Sequence, residues 1–161
     1  INREFVLDDI GHTYLPEIKK FPLIIENIIP AILIILLFAY KKINVELIIS
    51  VAVMFILRSI AINLTVLPKT RSSCKIPKRF AKIGGCHDKM FSGHTAFTTL
   101  CIFELFKSHS KLQYFAPLVP LIQGLIMIST RAHYSVDIFI GFLIALLIYS
   151  HKFKISKALI V

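Results

Sequence analysis

The sequence predicts an all-α, polytopic bundle of membrane-spanning helices, and three observations predict it. The chain is 56% hydrophobic over 161 residues, with a mean hydropathy of +0.75 and no tryptophan. A soluble domain of that size would leave far too much apolar surface in water. The apolar residues collect into five stretches, about 23–40, 45–67, 91–106, 112–130 and 134–150. The basic residues, which bring the formal net charge to +10, fall between those stretches with the exception of Arg58, and there they read as membrane-flanking anchors rather than as a nucleic-acid footprint.

The first two stretches, Leu23–Tyr40 and Val45–Leu67, are near the roughly 20 residues needed to cross ~30 Å of hydrocarbon. The third and fifth are short unless they recruit their polar N-terminal residues into the span, which pulls His94 and His133 into first helical turns. The one long connection, Pro68 to Met90, carries Lys69, Arg71, Lys75, Lys78, Arg79, Lys82 and Lys89, and Pro77 with Gly84-Gly85 mark it as loop. No internal repeat or low-complexity tract divides the chain, so residues 1–161 read as one membrane domain. Isoleucine rather than methionine at position 1, with no signal-peptide pattern, reads as a piece cut from a longer protein. Three cysteines are too few for a disulfide scaffold and lack the spacing of a structural zinc site. Cys74 and Cys86 share the long loop and could be bridged if it faces an oxidising compartment, whereas Cys101 falls inside a helix and reads as packing.

Parity places the polar residues. If the third stretch enters the membrane at His94, the fourth returns and the fifth starts again from the same face, so His94 and His133 share one interface. Asp137 follows His133 by four residues, on the same helical stripe. A carboxylate there can accept the imidazole N–H, fix its tautomer and raise the basicity of its other nitrogen. Other ionisable residues at membrane depth are functional hypotheses by default. Glu104 lies three residues before Lys107 and reads as a snorkelling side chain with a local ion pair. Glu26 and Arg58 could pair across helices or contact substrate. A metal reading of the histidines would need His87 and Asp88, whose separation matches no compact ligand motif, so no metal or cofactor is expected.

CHDKMFSGHT (Cys86, Asp88, Ser92, Gly93, His94 and Thr95), HYSVD (His133, Tyr134, Val136 and Asp137) and RSIAINLTVLP, with Arg58 ten residues before Pro68, resemble the motifs of the lipid phosphatase and phosphotransferase (PAP2) superfamily, and within it the sphingomyelin synthase family. The resemblance runs over nearly the whole chain. It implies a PAP2-like six-helix core whose first helix would lie before Ile1, leaving five transmembrane helices here. One departure matters: the broader phosphatases have an arginine six residues before the second histidine, where this chain has Met127, and the nearest arginine is Arg131. That weakens a simple phosphatase assignment. RxHYSVD is closer to the inositol-transferring sphingolipid synthases and SGHT to the choline and ethanolamine branch, which leaves the head group open.

The resemblance implies a phospho-head-group transfer from a glycerophospholipid donor to a ceramide acceptor through a phosphohistidine. His133 would attack, Asp137 would orient and stabilise it, and His94 would protonate the departing diacylglycerol and later deprotonate ceramide. Ser92 and Gly93, a small hydroxyl and an unhindered N–H at a helix N-terminus, suit phosphate oxygens. Arg131 and Arg58 would add positive charge, Lys89 less so, and Asp88 belongs to the same motif; Thr95 reads as a cap or packing residue. Two rivals share these residues: a lipid phosphate phosphatase, and a catalytically silent lipid-binding membrane protein.

Sidedness divides the two lines of reading. Eleven Lys and Arg fall by parity on the site's side against seven on the other, which the positive-inside rule reads as cytosolic. The resemblance implies a lumenal or extracellular site in Golgi, endoplasmic reticulum or plasma membrane. That placement is preferred, because a loop beside a phosphate site has a chemical reason to be basic.

Overall fold

The computed structural model describes residues 7–65, 67, 68, 70, 90–107 and 110–160. Among them every regular element is a helix: α1 (Ile10–Tyr14), α2 (Pro22–Ala39), α3 (Val45–Leu64), α4 (Gly93–Phe106), α5 (Ser110–Gln113), α6 (Leu118–Ser129) and α7 (Ser135–Ile160). The all-α membrane bundle read from the sequence is what the chain forms. The readings that fall on Cys74, Cys86, His87, Asp88 and Lys89 lie outside the described residues.

Among the described residues three helices, not five, have both the length and the apolarity to cross a bilayer: α2, α3 and the first 18 residues of α7. At 1.5 Å per residue, the 14 residues of α4 reach about 21 Å and the 12 of α6 about 18 Å. The fourth apolar stretch is split, because residues 114–117 form turns ending in Pro117, whose ring biases the residue before it away from helix. The second stretch stops early as well, at Leu64, with Thr65 already extended.

Each span starts on a local signal. Pro22 sits in the first turn of α2, where its missing N–H costs nothing. Asn44 caps α3 by accepting from the Leu47 N–H. Inside α2, Pro30 cannot donate to the carbonyl four residues earlier. That carbonyl, on Glu26, instead accepts from the buried Gln123 amide of α6 at 2.9 Å, so a break in one helix becomes a tie to another.

The centre of the bundle is α4, which packs against α2, α3, α6 and α7. Nine of its residues are buried, many of them small: Thr95, Ala96, Thr98, Thr99 and Cys101 among them. Small side chains let helix backbones approach where no hydrophobic drive separates protein from lipid. One close backbone approach is at Gly141 of α7, where an added Cβ would stand 2.6 Å from the Ser92 carbonyl oxygen. The outward faces of α2, α3 and α7 present Ile24, Ile35, Phe55, Ile60, Phe139 and Leu147, side chains that hydrocarbon solvates and water does not.

Both ends of the bundle carry polar ties. At the end where α4 and α7 finish, Glu104 is buried and bonded to Lys152 of α7 and, at 2.7 Å, to the Asn44 amide that caps α3. Lys107 stands farther off, at 3.9 Å. The local pair with Lys107 read from the sequence is present, but Glu104 is buried rather than snorkelling to the surface. Its main partner comes from 48 residues away, and the carboxylate joins three helices.

Candidate active site

At the opposite end, α6 hands the chain to α7 through residues 130–134. Arg131 takes a left-handed φ of 56° just past the end of α6. The Arg131 N–H returns to the Ile128 carbonyl and the Ala132 N–H to that of Met127, each at 2.9 Å. This double return is the hydrogen-bond pattern that closes a helix C-terminus, here with arginine where glycine is usual. It delivers His133 and Tyr134, both buried, to the mouth of α7.

Asp137, fully buried in the first turn of α7, has two neighbours. Its Oδ2 accepts from the Tyr134 N–H at 3.1 Å, capping the helix that carries it. The same oxygen lies 3.6 Å from His133 Nδ1. That separation is longer than a direct hydrogen bond. The spacing in the sequence thus places both side chains together. What it did not reveal is that Asp137 also caps the helix.

The first turn of α4 is fixed against this one. The Ser92 N–H donates to the Asp137 carbonyl at 3.0 Å, and the Ser92 hydroxyl caps α4 toward Thr95. Gly93 and His94 then face a cavity of about 290 Å³ between α2, α3 and α4, lined also by Asn27, Pro30, Phe55, Arg58 and Phe97. The Asn27 amide nitrogen donates to the Leu23 carbonyl, which turns its oxygen to His94 Nε2, 3.2 Å away. A carbonyl oxygen only accepts, so His94 Nε2 carries a hydrogen. Glu26 and Arg58 are the charged neighbours of this imidazole. Asn27 was not foreseen: a polar residue near the start of a span reads as an interfacial one until the fold brings α4 beside it.

The predicted residues thus fall into groups. Arg58, Gly93 and His94 share one cavity; His133 and Asp137 face each other; Ser92 links the two through its backbone. His133 does not line the His94 cavity. Arg131 has other partners, its guanidinium donating to the carbonyls of Ile128, His12 and Leu15 at 2.8–3.2 Å. Asp88 lies outside the described residues. Among the described residues no three His, Cys, Asp or Glu side chains gather as a metal site would require.

The segment ahead of α2 also reaches the site. Asp9 caps α1 through the His12 N–H at 3.0 Å and at the same time accepts from the Ser135 N–H at 2.8 Å and the Ser135 hydroxyl at 2.9 Å. Burial pushes the Asp9 carboxyl up, but these bonds and the nearby His12 outweigh it and hold the group below the usual carboxylate range. Its contribution is therefore complete at neutral pH and is lost only as the pH falls through that lowered value.

Residues 85–154 match the family described as PAP2 superfamily C-terminal. The match contains Ser92, Gly93, His94, Arg131, His133 and Asp137. Over 61 residues the chain is 34% identical to phosphatidylinositol:ceramide inositolphosphotransferase 3 of Arabidopsis thaliana, covering 37% of this chain and 21% of that protein. Over 59 residues it is 39% identical to phosphatidylinositol:ceramide inositolphosphotransferase of Oryza sativa subsp. indica, covering 35% and 18%. Over these stretches the chain is similar to the PAP2 superfamily and, within it, to sphingolipid synthases. The matched stretches span about a fifth of the length of these curated relatives. Both histidines stand at one end of the bundle, His94 in the first turn of α4 and His133 just before α7.

Proposed function

We propose that this chain is the catalytic part of a phospholipid:ceramide phospho-head-group transferase, with phosphatidylinositol as the donor that its relatives' names suggest. The observation that carries the reading is the buried His133–Asp137 pair, tied by the Ser92–Asp137 backbone bond to the helix end that holds His94 beside Arg58.

The neutral His133 ring attacks the donor phosphorus through the nitrogen turned away from Asp137. A P–N bond forms as the bond from phosphorus to the glycerol oxygen breaks. Asp137 stabilises the positive charge that grows on the imidazole. His94 gives the departing oxygen a proton, so diacylglycerol leaves neutral. His94, now a base, takes the proton of the ceramide primary hydroxyl; that oxygen attacks phosphorus, the P–N bond breaks and His133 returns to its starting state. The charge on the phosphoryl oxygens needs compensation throughout. Arg58 is the described cation that lines the His94 cavity, and Arg131 is assigned to shaping the backbone around His133.

The test is a steady-state assay with head-group-labelled phosphatidylinositol in liposomes, with and without ceramide, in the presence of a divalent-ion chelator. The expected result is slow diacylglycerol release from donor alone, faster release with ceramide, and a ceramide product bearing the label. Release that is fast and indifferent to ceramide would make the protein a lipid phosphatase-type hydrolase. No turnover of any donor would make it a silent lipid-binding protein, and loss of activity on chelation would overturn the metal-independent route.

A further inference from the structure

We propose that residues 9–15 form a clasp that sets the position of His133, with Asp9 as a positioning residue, and this rests on His133 acting in the reaction proposed above. The clasp grips the chain on both sides of that histidine. Two residues before it, the Arg131 guanidinium donates to the His12 and Leu15 carbonyls. At His133 itself the backbone carbonyl lies 3.0 Å from His12 Nε2, which must be the donor because a carbonyl only accepts. Two residues after it, both Ser135 donors end on the Asp9 carboxylate. The His12 ring also stands 5.3 Å from that of Tyr134.

A second, steric observation supports the same device. Gly11 lies against the site loop so closely that an added Cβ would come 2.4 Å from the Ser135 hydroxyl and 2.6 Å from an Ile128 methyl. Real Cβ atoms essentially never stand so close, so a side chain at position 11 would force the Ser135 and Ile128 side chains, or α1 itself, to shift. The seat matters because the loop of residues 130–134 runs between two helices, its N–H groups up to His133 returning to the end of α6 while the His133 carbonyl is held by His12. Asp137 is held by its own helix turn, while His133 precedes the helix and depends on what holds its backbone. A misplacement of about 1 Å can cost about 10²-fold in rate.

The experiment uses the intact protein and two variants that disturb the clasp by different means, Asp9→Asn and Gly11→Ala. Modification of each histidine by diethyl pyrocarbonate is read by peptide mass spectrometry. In the native protein His133 is protected by burial and His151, exposed at the other end, serves as reference. Each variant is expected to raise His133 modification about fivefold or more while His94 and His151 stay unchanged, the signature of local release. Turnover should fall about 10- to 100-fold with KM for the donor nearly constant. Ser135→Ala keeps its backbone N–H and should have a smaller effect, and adding it to Asp9→Asn should change little further. Unchanged His133 reactivity in both variants would overturn the clasp, and so would a uniform rise at all histidines, which marks a merely structural segment. If the native protein transfers no head group, the transferase reading fails alone, and the modification rates still decide whether the clasp positions His133.

Discussion

Replacement of His133 by alanine is expected to lower head-group transfer by more than about 10³-fold while the protein stays folded in the membrane. The side chain is buried and faces Asp137, so in the proposed route its loss removes the group that carries the phosphoryl intermediate. Asp137→Asn should cost nearly as much for a different reason. The amide keeps the volume but replaces one accepting oxygen with a donor. It must then choose between the Tyr134 N–H and the imidazole, both of which now meet Oδ2. If the amide turns its nitrogen to His133, the ring is held in the wrong tautomer. Transfer measured in liposomes at matched protein amounts checks both. Native turnover in either variant would remove that residue from the chemistry.

The second large effect is on stability. Lys152→Met is expected to destabilise the bundle by about 3 kcal/mol, because it leaves the buried Glu104 carboxylate without its principal cation. Asn44 and the more distant Lys107 remain, which keeps the loss toward the lower end of what breaking a buried pair costs. Removing both charges, as Glu104→Leu with Lys152→Met, should recover much of that loss, since the desolvation of both ions is then avoided. Unfolding by denaturing detergent measures the effect. The cluster lies at the end of α4 and α7 remote from His94 and His133, so turnover per folded molecule should be unchanged. A Lys152→Met protein as stable as the native one would show the tie to be idle.

What the sequence revealed and what it did not divide along sequence separation. His133 and Asp137 are four residues apart, close enough in sequence to meet even though His133 stands just before the helix that carries Asp137. The bundle itself was legible because apolar stretches near 20 residues have few other places to go. Helix ends were less so: the break at residues 114–117 sits inside an unbroken run of apolar residues, where hydropathy is blind to the turn that Pro117 imposes. The partners of Glu104, Arg131 and His94 come from 48, 119 and 67 residues away, and nothing in local spacing points to them. Arg131 is the instructive case. Its charge suggested a phosphate ligand, whereas its hydrogen bonds go to the carbonyls of the segment ahead of α2. Gly11 and Asp9 carried no motif at all, because their role is set by how closely two backbones pass.

The most direct test of the proposed function is a pulse and chase with phosphatidylinositol labelled at phosphorus. Enzyme is mixed with donor alone, a sample is quenched in alkali, and ceramide is added to the rest. The phosphohistidine route predicts label on the peptide containing His133 in the quenched sample, and its rapid passage to ceramide in the chased one, with none trapped in His133→Ala. Label that never appears on His133, or that leaves it for water at the same rate whether or not ceramide is present, would overturn transfer through His133.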